Sequence, residues 1–273
     1  MKNYLYIDRD DDAHQARFKV PDTPKIDFLI NEKRFDEALV EIDKLLKGSE
    51  DYINLNLKGV ILDNLGRYED AVDCFDKALI LYDSSEIQLN KAKSLYDWAK
   101  ITFFPKCENE KALQLIDKAI DALPSSVDSS EYYFLKAEIL EGLDELVESH
   151  RNYLIAHKEW DRLDEFEGQI HYIENTDDIL FIITGCSFYN FTPEPGMTVS
   201  LIKEEDNEYD PDAIAVTFED KIIGYVANSS YTLINNVKSA SELKKFINNN
   251  VNGRILFNHL GEYTVSKLIF SKI

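Results

Sequence analysis

The sequence predicts an α+β chain in two parts: an all-α solenoid of helical hairpins, then a small β-barrel with one or two helices. Three observations predict it. Up to about residue 178, Leu, Ala, Glu, Asp and Lys recur at helical spacing. Beyond that point Ile, Val, Thr and Phe come in short runs between turn residues, with Gly185, Pro193, Pro195 and Gly196 close together. Charge divides at the same place. Residues 1–178 carry 22 basic and 40 acidic side chains, a net of −18, and residues 179–273 carry 8 and 11, a net of −3.

The whole chain has 273 residues, a net charge of −21 and 44% hydrophobic residues, enough for two cored domains. Its apolar run Ile179 to Ile183 falls far short of the ~20 residues that cross a bilayer. The N-terminus turns acidic at Asp8 with no apolar signal core. Cys74, Cys107 and Cys186 are odd in number and far apart, which argues against a disulfide framework and for the reducing cytoplasm. No Cys/His spacing suits zinc, and no phosphate-loop or nucleophile-elbow motif occurs. The sequence implies no cofactor and no membrane. An acidic surface repels phosphate, so the first part is a poor nucleic-acid binder. Residues 221–273 differ, with 7 basic and 2 acidic groups.

In chain order, residues 1–20 read as a leader in which Tyr4 to Ile7 could form a strand ahead of the solvated run Asp8 to Asp12. Residues 21–158 read as helical repeats, about four units. The clearest is Leu55 to Leu62, then Gly66-Arg67-Tyr68, then Ala71, Phe75 and Ala78. Gly59, Ala71 and Ala78 are small where two helices would touch, and Leu62, Tyr68 and Phe75 fill the spaces between. Phe35, Ala38, Ile42 and Leu45 mark an earlier unit. Ala112, Ile116, Ala119 and Pro124 mark a later one, and Tyr133, Ala137, Leu140, Ser149, Tyr153 and Ala156 a fourth. The register residues Ala38, Ala71, Ala112 and Ser149 are spaced by 33, 41 and 37. The long interval places an insertion at Thr102 to Asn109, where Pro105 breaks the pattern.

These units resemble the tetratricopeptide repeat (TPR), a helix-turn-helix of about 34 residues. Such units stack because none buries its apolar face alone. The resemblance implies an inner groove that binds a protein or peptide. Carried over, its inward positions are Ile53, Asn56, Val60 and Asp63, then Leu89, Lys93 and Tyr96, then Glu131, Phe134, Glu138 and Glu141. Some family members clamp a carboxylate there. Only Asn56 and Lys93 suit one here, and Glu138 and Glu141 oppose it, so a basic or apolar ligand fits better. The plain alternative is that these are solvated charges on helices. Residues 159–178, with Trp160, Leu163, Phe166, Ile170 and Ile173 at helical spacing, read as a capping helix or hinge.

Residues 179–273 show six strand patterns: 179–184, 197–202, 213–218, 222–226, 254–258 and 263–270. Hairpin turns fall at Glu219-Asp220-Lys221 and His259 to Glu262. Ser239 and Glu242 have capping-box spacing, and Leu243, Phe246 and Ile247 supply an apolar helix face.

Pro195-Gly196 before a strand, the run Asn207-Glu208-Tyr209-Asp210-Pro211-Asp212-Ala213-Ile214-Ala215-Val216 and then Ile223-Gly224-Tyr225 resemble the HIRAN domain. The resemblance implies an OB-like barrel, and in the eukaryotic type a pocket for the 3′-hydroxyl end of single-stranded DNA. Tyr209 and Asp210 match that pocket. Its Arg-Tyr-Tyr run falls on Ser187-Phe188-Tyr189, without the arginine, and Tyr225 stands at a His position. Phe188, Tyr189, Tyr209 and Tyr225 could stack on bases, and Lys238, Lys244, Lys245, Arg254, Lys267 and Lys272 could supply charge. The acidic run Glu204 to Asp212 opposes phosphate, and the missing arginine removes a fork that Lys does not replace. Tyr209 and Asp210 also suit a purely structural turn before Pro211. Asp206, Glu208 and Asp210 alternate as in a calcium loop, but Pro211 and Thr217 stand where a Gly and a bidentate Glu belong.

Three functions follow: a non-catalytic adaptor joining a protein to single-stranded DNA ends, a purely protein-binding scaffold and, most distantly, a metal-dependent hydrolytic enzyme using residues 204–212.

Overall fold

The computed structural model describes residues 24–48, 50–229, 235–247, 251–261 and 263–269. The expected leader, with its strand at Tyr4 to Ile7, lies outside them. The chain forms two compact units, Met1–Glu159 and Trp160–Ile273.

The first unit is helical: α1 (Pro24–Asn31), α2 (Phe35–Leu46), α3 (Tyr52–Asn64), α4 (Tyr68–Leu81), α5 (Ser85–Phe103), α6 (Asn109–Asp121), α7 (Ser130–Glu141) and α8 (Leu146–Ala156). They pair as four hairpins, and the turns inside the hairpins show the repeat. Lys33, Gly66, Cys107 and Asp144 all sit in the left-handed region, at φ of 59°, 73°, 58° and 61°. Each is followed by a residue near φ −90° and ψ 60°, namely Arg34, Arg67, Glu108 and Glu145. In three of the four, that residue's N–H closes on a carbonyl five residues back: Arg34 on Leu29, Arg67 on Leu62 and Glu145 on Leu140. This closure satisfies the last carbonyls of the first helix and starts the second at a fixed angle.

Ala38, Ala71 and Ala112 are fully buried where the helices meet. At the fourth register position Ser149 donates its hydroxyl to the Ala137 carbonyl at 2.9 Å, so a polar side chain is tolerated at the same contact. Successive hairpins share a second recurring contact. Lys58 meets Asp43 at 2.7 Å, Lys91 meets Asp76 at 2.5 Å and Lys136 meets Asp117 at 2.8 Å. Each joins the second helix of one hairpin to the first helix of the next. Half-exposed pairs of this kind contribute at most ~1 kcal/mol, so they fix register more than stability. The expected insertion resides mostly in α5, which runs 19 residues against 13 for α3.

The second unit opens with α9 (Trp160–Asn175), expected as a cap or hinge, which packs on the barrel. Phe166 stacks on His259 with centroids 5.0 Å apart, and His259 Nδ1 lies 3.1 Å from Gln169 Oε1. The Tyr172 hydroxyl donates to Asp178 at 2.5 Å, and Lys267 donates to the same oxygen at 2.9 Å. Those two donors hold the Asp178 carboxyl below its ordinary range.

The strands are β1 (Leu180–Thr184), β2 (Thr198–Lys203), β3 (Ile214–Phe218), β4 (Lys221–Val226), β5 (Val251–His259) and β6 (Tyr263–Ile269). They close into one antiparallel barrel ordered β1-β4-β3-β2-β5-β6. Phe181, Ile183, Leu201, Val216, Ile223 and Ile255 fill its core. β1 is buried on both faces: Leu180 and Ile182 pack with Ile173 of α9 in a second cluster. That explains an apolar run without alternation. The β3–β4 turn has Glu219 and Asp220 both at positive φ, the conformation of a tight hairpin. The capping box of Ser239 and Glu242 opens the short helix α10 (Ala240–Leu243). Leu243 and, in the turn after the helix, Ile247 are buried as expected, but Phe246 beside Ile247 is 66% exposed.

Gly59 gives the sharpest test of the helical core. Gly to Ala in a helix normally gains up to ~1 kcal/mol. Here an added Cβ would lie 2.5 Å from Cε1 of the buried Phe75 ring. Gly59→Ala should therefore lose about 1–2 kcal/mol by overpacking. Gly168→Ala in α9, where nothing lies within 4 Å, should gain up to ~1 kcal/mol. Urea midpoints for the two variants check both signs, and a more stable Gly59→Ala would mean that Phe75 can move aside.

Candidate functional site

The barrel residues expected at a ligand site gather at three neighbouring features. A 3₁₀ turn, Cys186–Tyr189, follows β1 and presents Phe188, 88% exposed, and Tyr189. Tyr225 on β4 stands beside it, its ring centroid 6.4 Å from that of Tyr189. The Tyr225 hydroxyl lies 3.3 and 3.4 Å from the two Glu204 oxygens. Burial first, then Tyr189 and the Glu204 carboxylate, push the Tyr225 phenol up to about 12. Glu204 begins the third feature, the loop to Asp212.

That loop is held by its own side chains. Asn207 Oδ1 accepts from the N–H groups of Tyr209 (2.9 Å) and Asp210 (3.0 Å), while its amide donates to Glu204 at 2.6 Å. Asp210 Oδ1 accepts from the Asp212 N–H at 2.8 Å, and its Oδ2 accepts from the Asn228 amide at 3.0 Å. Asn228 Oδ1 accepts from the Ser241 N–H at 3.0 Å, and the Ser241 hydroxyl is 2.7 Å from both Asn228 Oδ1 and Asp212 Oδ2. Lys244 closes the set by donating to the Pro211 carbonyl. These bonds tie the loop to the start of α10. The Ile-Gly-Tyr glycine also has a structural cause: a Cβ on Gly224 would strike the Thr184 carbonyl of β1.

Tyr209 is the exception in this loop. Its backbone is fixed by Asn207, yet the residue is 97% exposed. Of the expected cations, Lys238 pairs with Glu242 at 3.0 Å, Lys267 pairs with Asp178, and Lys244 is on Pro211. Lys245 and Arg254 form no ion pair among the described residues, and Lys272 lies outside them. Among the described residues no three His, Cys, Asp or Glu side chains are grouped to hold a metal.

The expected groove residues of the helical unit divide in two. On α3, Asn56 and Asp63 are buried. Asn56 accepts from the Asn90 amide at 3.2 Å across the repeat, so its oxygen serves the stack rather than an open surface. α5 and α7 are open. Lys93 and Tyr96 are half-buried, and the Tyr96 hydroxyl donates to Glu131 at 2.9 Å. Burial, with that carboxylate second, pushes the Tyr96 phenol well up. Glu131, Phe134, Glu138 and Glu141 form one exposed stripe along α7. Sequence reasoning missed two partners of that stripe: Tyr153 and His157 of the fourth hairpin, whose rings lie 6.4 and 6.0 Å from Phe134 and 4.2 Å from each other. Tyr153 was legible as a repeat position, but nothing local marked its ring as exposed.

Residues 53–85 match the sequence model of the tetratricopeptide repeat. No curated protein matches the chain. Solved structures similar to it include two of MamA. MamA 41-end from Desulfovibrio magneticus RS-1 is 20% identical, covers 48% of this chain and 71% of its own, and has a TM-score of 0.34. The MamA RS-1 ArsTM double mutant is 20% identical, covers 56% and 82%, and has a TM-score of 0.35. Among the described residues no helix is long and apolar enough to cross a membrane.

The loop geometry separates two adjacent residues. Asp210→Ala strands the Asn228 amide and the Asp212 N–H and should cost about 1–3 kcal/mol. Tyr209→Ala removes an exposed ring and should change stability by less than about 0.5 kcal/mol. Denaturant midpoints, with hydrogen exchange at the Asp212 amide, read the difference. Equal effects would mean that the loop network carries no stability.

Proposed function

We propose that this chain is a non-catalytic adaptor of the reducing cytoplasm, whose helical repeats hold a protein partner and whose HIRAN-like barrel holds a single-stranded DNA end. The observation that carries the barrel half is Tyr209, a large ring held in solvent by a loop whose Asn207, Asp210 and Asp212 side chains are engaged in structural bonds. An exposed ring on a fixed loop is a stacking platform, and base stacking contributes about 1–3 kcal/mol per base. Phe188 and Tyr189 extend the aromatic surface, and Tyr225 supports it from β4. Asp210 then acts as a positioning residue, because both its oxygens are engaged within the protein.

That engagement also favours a second reading. A carboxylate already bonded to Asn228 and Asp212 is poorly placed to receive a terminal hydroxyl, and Ser187 offers no phosphate fork. On this reading the barrel keeps the family's fold without its ligand, and the chain is a protein scaffold.

For the helical half, the α7 stripe is acidic and aromatic together. Glu131, Glu138 and Glu141 suit a basic segment, and Phe134 with Tyr153 and His157 offers it an apolar seat.

Fluorescence anisotropy of the full chain with a labelled short single strand tests the barrel. A 3′-hydroxyl end should bind more tightly than a 3′-phosphate end, binding should weaken with salt, and Tyr209→Ala should weaken it about 5- to 150-fold. No binding to either end would leave the scaffold reading. For the repeats, a labelled Lys/Arg-rich peptide carrying Leu should bind, and Glu138→Lys with Glu141→Lys should weaken it at least about tenfold. Unaltered peptide binding in that double variant would move the partner site off α7.

A further inference from the structure

The long helix α5 creates a third surface, independent of the two above. Between α4 and α6 lies a trough of about 580 Å³, with Leu95 and Trp98 of α5 beneath it and Val72 and Leu115 at its sides. It shares Trp98 with a further space of about 370 Å³ bordered by Arg67, Tyr68, Ile101, Lys106 and Lys111. At that end α5 runs on to Phe103, and Phe104 follows, 76% exposed. Trp98 and Ile101 stand three residues apart and both border this space, so the end of α5 offers an apolar strip there. The extra length of α5 is what carries Ile101 out to that position.

The charges around the strip are not those of the chain as a whole. Arg67 is neutralised by Asp70 at 2.6 Å. The Lys111 ammonium sits 5.6 Å from the Trp98 ring centroid, where an indole face holds a cation, and its nearest carboxylate, Glu108, is 3.8 Å away. Lys106 has no ion-pair partner among the described residues. Glu69 is the remaining acid at this end. The wider part of the trough is different: Asp73 and Asp121 line it together with Lys118, and Lys91 is already paired with Asp76 at 2.5 Å. A uniformly acidic chain would therefore be repelled along the trough, while one or two carboxylates beside Lys106 and Lys111 would be matched. The net charge of −21 acts mostly beyond the ~8 Å over which charges are screened at physiological salt, so these local groups decide the match.

We infer that this trough docks a short segment of a partner protein in which an aromatic or aliphatic anchor sits beside one or two carboxylates. The anchor packs on the Trp98–Ile101 strip, in the manner of a buried hot spot, and the carboxylates meet Lys106 and Lys111.

The test selects random displayed peptides on the full-length protein and counter-selects them on the Ile101→Asp, Lys106→Glu double variant. Both positions are exposed, and an unchanged thermal midpoint verifies the variant's fold; Lys106→Glu alone serves if it unfolds. The recovered peptides should carry Asp or Glu beside Phe, Leu or Trp. The chain has two tryptophans, so in a Trp160→Phe protein the indole emission reports Trp98, and a synthetic copy of a recovered peptide should shift it. Replacing the peptide's acids by Lys, or Lys106 by Glu, should weaken that titration about tenfold. Recovery of no peptide, of peptides without acids, or of peptides that the variant retains overturns the inference. So does Trp98 emission that changes with protein concentration alone, which would give the trough to a second copy of the chain.

Discussion

The helical unit depends on close approach of paired helices at small side chains. Gly59 lies against the Phe75 ring so tightly that even a methyl group would intrude. Ala38, Ala71 and Ala112 occupy the matching contacts with no exposed surface. Close approach sets the angle within each hairpin, and the four left-handed turns then repeat it. With the angle fixed, the same Asp on each second helix reaches the same Lys on the next first helix. α3 is covered on nearly every side, which is why Asn54, Asn56 and Asp63 are buried on a helix with little amphipathic character. Open helix faces then arise where a helix escapes such cover, as along α7 and at the overlong end of α5.

The barrel depends on a comparable constraint at β1. One face of this strand belongs to the barrel core, and the other is covered by α9 through Ile173. β4 must lie close enough to pair Ile183 and Thr184 with Val226 and Tyr225, and Gly224 permits that approach. Tyr225 is thereby placed beside Tyr189, and its hydroxyl reaches Glu204 at the start of the acidic loop. The aromatic surface at this end follows from how the barrel closes.

Much of this was legible in the sequence. The alanine register located the hairpins, the six strand patterns match the observed strands within a few residues, and Ser239 with Glu242 opens a helix as its spacing requires. Periodicity reports which face of an element is apolar, but not what covers that face. α9 therefore read equally well as a cap or a hinge, although its apolar face lies on the barrel. The burial of Asn56 depends on Asn90, one repeat away, and the bonds of Asp210 depend on Asn228, beyond the next hairpin. Phe246 fitted the apolar pattern with Leu243 and Ile247, but only those two are buried.

These misses share a cause that bears on function. Charged and amide side chains look like ligands in a sequence because they carry chemistry, yet here most find partners inside the protein. Asn207, Asp210 and Asp212 build a loop, Lys238 and Lys267 close ion pairs, and Asn56 joins two repeats. Rings left in solvent are the more informative residues, because burial would stabilise them by a few kcal/mol and the fold forgoes it. Tyr209 and Phe188 on the barrel, Phe134 on α7 and Phe104 after α5 are such rings. Each stands where a structural device prevents its burial: a pinned loop, a 3₁₀ turn, an open helix face and the end of an overlong helix. What fixes each ring in place also keeps it exposed, so position and exposure together single out the surfaces on which the proposed functions are built.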